Sequence, residues 1–274
     1  MAALSRRTEP PRLRGATLEL PGARPYEVDL DAHRLENRLS LLDRHEIDVA
    51  VVCCQPTLGI ERLPAEEADE LLTAFHDGVL ELAEGSGGRI RVLATEAALD
   101  GTIGACVAAD RLTGDLTRVE RLLDDLERRE AVLFVHPGPA DDPAGDPPWW
   151  PAVVGYTAQM QAAYATWLAR GVERWPRLRV VFAILAGGAA IQLERLRSRG
   201  VDFRRLVGPN LYLDTSSYGR RAFELCFATF GAGQLVFGSD VPVIEPDVTL
   251  RELRGFGQAV ENAVLRDNPS RLLS

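Results

Sequence analysis

From residue 47 to its end the chain alternates short β-branched or apolar runs with segments of helical periodicity. That alternation is the signature of parallel strands joined by crossover helices. Seven runs read as strands: Ile47 to Cys54, Ile90 to Glu96, Ile103 to Val107, Ala131 to His136, Leu178 to Ile184, Leu211 to Asp214 and Gln234 to Gly238. Between them apolar residues recur at helical spacing, as in Ala68, Leu71, Leu72, Phe75 and Val79, or Leu116, Val119, Leu122, Leu123 and Leu126, each stripe suited to packing on the sheet. No linker composition or fixed repeat interrupts the pattern, so residues 1–274 read as one domain with an irregular segment over 1–30. An open doubly wound sheet and a (β/α)8 barrel both accommodate it. The length favours a barrel, which needs one strand more than the seven found.

Composition narrows the chemistry. Forty acidic against 31 basic side chains give a net charge of −9, so there is no basic field for nucleic-acid phosphates or an anionic membrane surface. All 31 basic residues are arginine. The absence of lysine excludes a lysine Schiff base, a P-loop lysine and a lysine-derived metal bridge. Four cysteines, Cys53, Cys54, Cys106 and Cys226, have neither zinc-finger nor C-x-x-C spacing and read as reduced thiols of a cytoplasmic protein. No apolar run approaches the roughly 18 residues of a membrane helix, and the opening MAALSRRTEPPRLRG is arginine-rich where a signal peptide is apolar.

In parallel α/β folds chemistry collects at the carboxyl ends of the strands. The polar residues there are Gln55, Glu96, His136, Asp214 with Thr215 and Ser216, and Ser239 with Asp240. Of the four histidines, His33, His45 and His76 fall in helical or polar stretches and read as surface residues. His136 instead follows AVLFV and precedes Pro137 and Gly138, so its imidazole emerges at the sheet's mouth, where it can ligate a divalent metal or move a proton. A histidine simply bonded to a neighbouring loop is the plain alternative. Asp240 ends QLVFGS and precedes Val241 and Pro242, placing a carboxylate at the same mouth. Its plain alternative is an N-cap for the next helix. The loop PGPADDPAGDPPWWP, Pro137 to Pro151, is long and proline-rich; Trp149 and Trp150 could roof a pocket or cover the end of the core.

With their surroundings these residues form a pattern. FVHPG at Phe134 to Gly138, WPRLRVVFA at Trp175 to Ala183, NLYLDTSSY at Asn210 to Tyr218, FGSDVP at Phe237 to Pro242 and NPSRLL at Asn268 to Leu273 follow one another in order. Together the chain resembles the amidohydrolase-related family (amidohydrolase family 2) of metal-dependent (β/α)8 barrels from about residue 30 onward. The resemblance implies an α/β TIM barrel and one divalent ion, Zn²⁺ or sometimes Mn²⁺, held by an H-x-H pair on the first strand, a fifth-strand histidine and an eighth-strand aspartate. Only the last two carry over, as His136 and Asp240. Where the family places a catalytic histidine after the sixth strand, in A-H-x-G-G-type text, this chain has Ala183, Ile184, Leu185, Ala186, Gly187 and Gly188. Ile184 can neither ligate nor carry a proton. No H-x-H occurs, and MAALSRR reads like the interior of a helix that would follow the missing first strand. The expectation is a start at an internal methionine; evolutionary loss of the strand is the rival.

What the resemblance implies about function is a hydrolase acting on a C–N, C–O or ester bond of a small organic substrate through metal-activated water, with Asp240 catalytic and His136 and Asp240 binding the metal. Its alternatives are a decarboxylase of the same family and a catalytically degenerate barrel that binds or scaffolds. Trp149, Trp150, Ser216, Ser217 and Arg220 are the expected substrate contacts. With two ligands in place of the usual set, metal binding is expected to be weak in this chain. The expected partner is a small molecule, with no nucleic acid or membrane; homo-oligomers are compatible with the sequence.

Overall fold

A computed structural model describes every residue except 98, 143–144 and 204–206, two of which belong to the Pro137–Pro151 loop. Its strands are β1 (Arg12–Arg14), β2 (Thr17–Glu19), β3 (Tyr26–Glu27), β4 (Ala50–Val52), β5 (Ile90–Thr95), β6 (Gly104–Ala108), β7 (Val132–His136), β8 (Arg179–Phe182), β9 (Leu211–Asp214) and β10 (Leu235–Val236). β4 to β10 form a seven-stranded sheet in the order β10-β9-β8-β7-β6-β5-β4. The pairings β4–β5, β5–β6, β7–β8, β8–β9 and β9–β10 are all parallel. Each of these seven strands overlaps one of the seven runs read from the sequence: β9 matches its run, β6 is shifted by one residue to end at Ala108, and the other five lie within longer runs.

The backbone divides into two compact units, Met1–Cys106 with Gly138–Tyr156, and Val107–Pro137 with Thr157–Ser274. In the first, the segment 1–30 is not irregular as expected from its prolines and arginines. It forms a helix, Ala2–Arg6, and the antiparallel sheet β1-β2-β3. The signal is faint because each strand buries little: Leu13 and Leu18 are directly paired across β1 and β2 and buried, while their neighbours are polar. These leucines join Leu20, Cys54, Leu58, Ile60 and Leu71 in one apolar cluster. Helix Ala65–Gly85 supplies Leu71 to that cluster. His76 of the same helix is not a free surface group, since its Nε2 accepts the Thr95 backbone N–H at 3.1 Å. Nor are the other two: His45 is buried, and half-buried His33 lies 3.0 Å from an Arg38 guanidinium nitrogen.

In the second unit the strands are nearly continuous apolar runs, as expected for a parallel sheet covered on both faces. Val132, Leu133, Val135, Val180, Val181, Phe182, Leu211, Tyr212 and Leu213 are all buried. Helix Tyr156–Thr166 and the turn after it supply Tyr164, edge-on to Phe182 at 5.2 Å, and Trp167, stacked on Trp175 at 6.0 Å. The Trp175 indole N–H is not stranded by burial, because it donates to Asp124 at 2.7 Å. The last helix, Asn268–Leu273, is tied to β10 by a single buried amide. Asn268 Nδ2 donates to the Ala232 and Leu235 carbonyls, both at 2.7 Å. Among the described residues, no helix is long and apolar enough to cross a membrane.

That amide fixes the base of β10, and its loss leaves two carbonyls without their donor. Asn268→Ala should therefore cost roughly 2 kcal/mol in urea unfolding, with little change in the slope; a variant as stable as the parent would show that the two bonds contribute nothing net.

Candidate functional site

Parallel pairing sets Val135 beside Phe182, Phe182 beside Leu213, and Leu213 beside Leu235. The ladder continues past the strand ends, with Ala183 N–H donating to Val135 O at 2.9 Å and Thr215 N–H to Val236 O at 3.1 Å. Residues leaving β7, β8, β9 and β10 therefore emerge at the same end of the sheet. They are His136, Ile184, Asp214 with Thr215 and Ser216, and Gly238 to Asp240.

His136 is the last residue of β7 and is half-buried. Its Nδ1 lies 2.9 Å from the Pro137 carbonyl, which can only accept, so Nδ1 carries the hydrogen and Nε2 presents its lone pair. Burial lowers the imidazole's pKa and keeps it neutral. That is the form that ligates a metal.

Asp214, the last residue of β9, is buried. Its Oδ1 accepts the Ser216 backbone N–H at 2.5 Å. Burial raises its pKa, and the bonds from Ser216 work against that rise. Opposite it stands Gly238, where an added Cβ would fall within the carboxylate. Sequence reasoning placed Asp214 at a strand end but gave the site roles to Ser216, Ser217 and Arg220. The missed signal was the glycine of FGSD, whose missing side chain leaves room for a carboxylate from the next strand.

Asp240 adopts a left-handed backbone, φ +58°, and its carbonyl accepts N–H bonds from Val243 and Ile244 at 2.8 and 3.1 Å. It closes a tight turn and is not the N-cap of the next helix, which begins at Asp247. Although the residue as a whole is exposed, partial burial of its carboxyl, followed by the neighbouring Asp214, pushes it up to about 6.

Ile184 is half-buried, with one residue between it and the end of β8, at the position the resemblance gives to histidine. It opens a run of left-handed residues: Ile184, Leu185, Ala186, Gly187 and Gly188 have φ from +46° to +79°. The three with side chains each cost roughly 1–2 kcal/mol in this conformation. The run is held by burial of Leu185 and Ala186, by Ala186 N–H donating to Ala183 O, and by Gln161 Nε2 donating to Gly187 O at 2.7 Å. A Cβ at Gly187 would stand 2.6 Å from the Thr157 carbonyl, so the turn fits only with glycine there.

Among the described residues, His136, Asp214 and Asp240 reach one end of the sheet without forming a set of ligand atoms all within 4.8 Å of one another. The expected substrate contacts are differently placed. Ser216 is buried and its backbone serves Asp214, whereas Ser217 is exposed with φ +66°. Arg220 pairs with Glu224 at 3.0 Å and lies over the Phe256 ring at 4.5 Å. In the other unit, Trp149 is exposed and Trp150 half-buried, their rings 5.8 Å apart.

Residues 58–274 match the family model described as Amidohydrolase. The chain belongs to the amidohydrolase family. No curated protein matches its sequence. Among solved structures it is similar to an amidohydrolase II, at 19% identity with a TM-score of 0.78, covering 99% of this chain and 94% of that one. It is also similar to IDCase from Metarhizium anisopliae, at 18% identity and a TM-score of 0.76, covering 99% and 93%. A third is the 5-carboxyvanillate decarboxylase of Novosphingobium aromaticivorans, complexed with manganese and 4-hydroxy-3-methoxy-5-nitrobenzoic acid, at 16% identity and a TM-score of 0.71, covering 88% and 80%. At these identities the likeness establishes the fold, an α/β architecture matching amidohydrolase barrels.

A divalent ion suits the donors this amidohydrolase presents. The imidazole has a fixed tautomer and a free Nε2, and two carboxylates stand near one another with no cation among the groups that shift them. Without such an ion the pair penalises the charged fold. Folding raises Asp240 from 3.8 to about 6, so this group's contribution to stability is most favourable below pH 4 and becomes progressively unfavourable as pH rises from 4 through 6. In metal-free protein, Asp240→Asn should melt above the parent at pH 7 and converge with it near pH 4, measured by thermal denaturation at both values. A variant less stable than the parent at pH 7 would contradict the assigned environment.

Proposed function

We propose that this amidohydrolase is a carboxy-lyase that removes CO₂ from a small aromatic acid, in preference to hydrolysing a C–N, C–O or ester bond. The observation that carries this reading is Ile184. Hydrolysis needs a proton taken from water and another delivered to the leaving atom; with Ile184 at the strand end between His136 and Asp214, Asp240 is the one group we assign to move protons, which suits a reaction that needs a single proton delivered. Decarboxylation needs less. The bond between ring carbon and carboxylate breaks, its electron pair stays on the ring carbon, CO₂ leaves, and one proton is delivered to that carbon.

Asp240 is the residue we assign to carry that proton, with His136 and Asp240 holding a divalent ion, Mn²⁺ or Zn²⁺. When bound, such an ion supplies positive charge that polarises substrate oxygens. The manganese and nitrobenzoic acid of the similar decarboxylase support both the ion and the aromatic acid. Ser216 and Ser217 stay in the proposal as polar contacts to the acid. The family match over residues 58–274 supports reading the chain as a single amidohydrolase domain. A binding barrel without turnover is the second reading, and the same Ile184 favours it.

Metal-reconstituted protein offered a panel of hydroxylated aromatic carboxylic acids, beside matched amides and esters, should release CO₂ from at least one acid. His136→Ala and Asp240→Asn should each lower that rate by about 100-fold or more. Turnover of an amide or ester with no CO₂ release would restore the hydrolase reading, and tight binding of an acid without any turnover would establish the binding barrel.

A further inference from the structure

Two consecutive residues at the end of β9 take hold of the segment that leads from β10 to Asp240. Thr215 N–H donates to the Val236 carbonyl at 3.1 Å, and the Thr215 hydroxyl accepts the Gly238 N–H at 3.3 Å. The Asp214 carboxylate meets the same glycine, lying in the volume that a Cβ at position 238 would fill. Asp214, Thr215 and Ser216 are all buried, so water does not stand in for these contacts. Asp240 comes two residues after Gly238, with a left-handed backbone and its carbonyl engaged by the Val243 and Ile244 N–H groups. The turn that carries its carboxyl is thus tied on the far side by its own hydrogen bonds and on the near side by β9.

Filling the space over Gly238 does not by itself call for a carboxyl. An alanine at 238 facing a small residue at 214 would pack the same volume without burying a polar group, which costs free energy unless that group is bonded. What Asp214 adds is a fixed direction: its Oδ1 accepts the Ser216 backbone N–H at 2.5 Å, closing a turn of the Asp side chain onto the N–H two residues on. Held in that way, the carboxyl seats on the glycine while Thr215 holds the same residue's N–H. Among the described residues, Asp214 does not join His136 and Asp240 in a set of ligand atoms within 4.8 Å of one another, so its contact with the site runs through the backbone of β10.

We propose that Asp214 is a positioning residue for Asp240: its carboxyl, held by the Ser216 N–H, seats on Gly238 and fixes the course of the Gly238–Ser239–Asp240 backbone. The inference rests on the role given to Asp240 under Proposed function and adds that Asp214 neither ligates the ion nor carries the proton. Groups that orient a metal ligand without touching the ion typically weaken its binding by about 10- to 100-fold when they are lost. The role requires an acceptor for Ser216 in a planar group of this size, which an amide also supplies.

The test is the Mn²⁺ affinity of the full chain by titration calorimetry, with thermal unfolding of the metal-free protein measured beside it. Asp214→Ala should bind Mn²⁺ at least about tenfold more weakly than the parent, and Asp214→Asn within about threefold of it. The double variant Asp214→Ala, Gly238→Ala puts a Cβ back into the emptied volume. It should regain most of the melting temperature lost by Asp214→Ala and still bind Mn²⁺ at least about tenfold more weakly than the parent. Should Asp214→Ala not fold, the double variant and Asp214→Asn carry the comparison. A double variant with parental affinity would reduce Asp214 to packing and overturn the inference. So would Asp214→Ala binding like the parent, or Asp214→Asn losing as much as Asp214→Ala, which would make the charge itself the operative feature. A parent that binds no Mn²⁺, or binds it equally well after Asp240→Asn, would overturn the reading of Asp240 and this inference with it.

Discussion

Four parallel strands, β7 to β10, point their carboxyl ends one way, and the chemistry of this amidohydrolase follows from that polarity. A strand reversed or slipped by one residue would send His136 or Asp214 to the opposite end or face of the sheet. The register is held by continuous apolar burial along β7, β8 and β9. At β10, only two residues long, buried Leu235 and Val236 are joined by the Asn268 amide, which donates to the Leu235 carbonyl. Asp240 follows shortly after this shortest strand of the sheet, which a polar group of the closing helix also clamps.

Backbone conformation then shapes the space those ends enclose. Gly238 yields its side-chain volume to the Asp214 carboxylate, and Gly187 lets a left-handed turn pass against the Thr157 carbonyl. Both glycines serve close approach, one of a side chain and the other of a backbone. The left-handed run beginning at Ile184 stores strain at the position where relatives of the resembled family carry histidine, and burial of Leu185 and Ala186 offsets it. A hydrocarbon held at this strand end has no group that can carry a proton.

The seven parallel strands were legible because long apolar runs at regular spacing leave few other ways to bury them. The positions of His136 and Asp240 at one end of the sheet were legible because each lies at or shortly after the end of such a run. The N-terminal sheet was not, since three strands of two or three residues carry only a single buried leucine apiece in β1 and β2 and none in β3. Asp214 was visible as a strand-end carboxylate, but its importance depends on Gly238 from another strand and on its field at Asp240, neither of which local sequence reveals. Arg220 shows how local contacts outside the strand pattern escape the sequence. Its position beyond β9 suggested a carboxylate contact, yet helical spacing to Glu224 and the nearby Phe256 ring engage it first.

The central claim is that the carboxyl ends of β7 and β10 hold one divalent ion. Crystals of the full chain grown with Mn²⁺, with diffraction recorded on both sides of the manganese absorption edge, test it directly. The account predicts a single strong anomalous peak bonded to His136 Nε2 and an Asp240 carboxylate oxygen. An ordered manganese bound elsewhere, with both of those atoms free of it, would contradict the account.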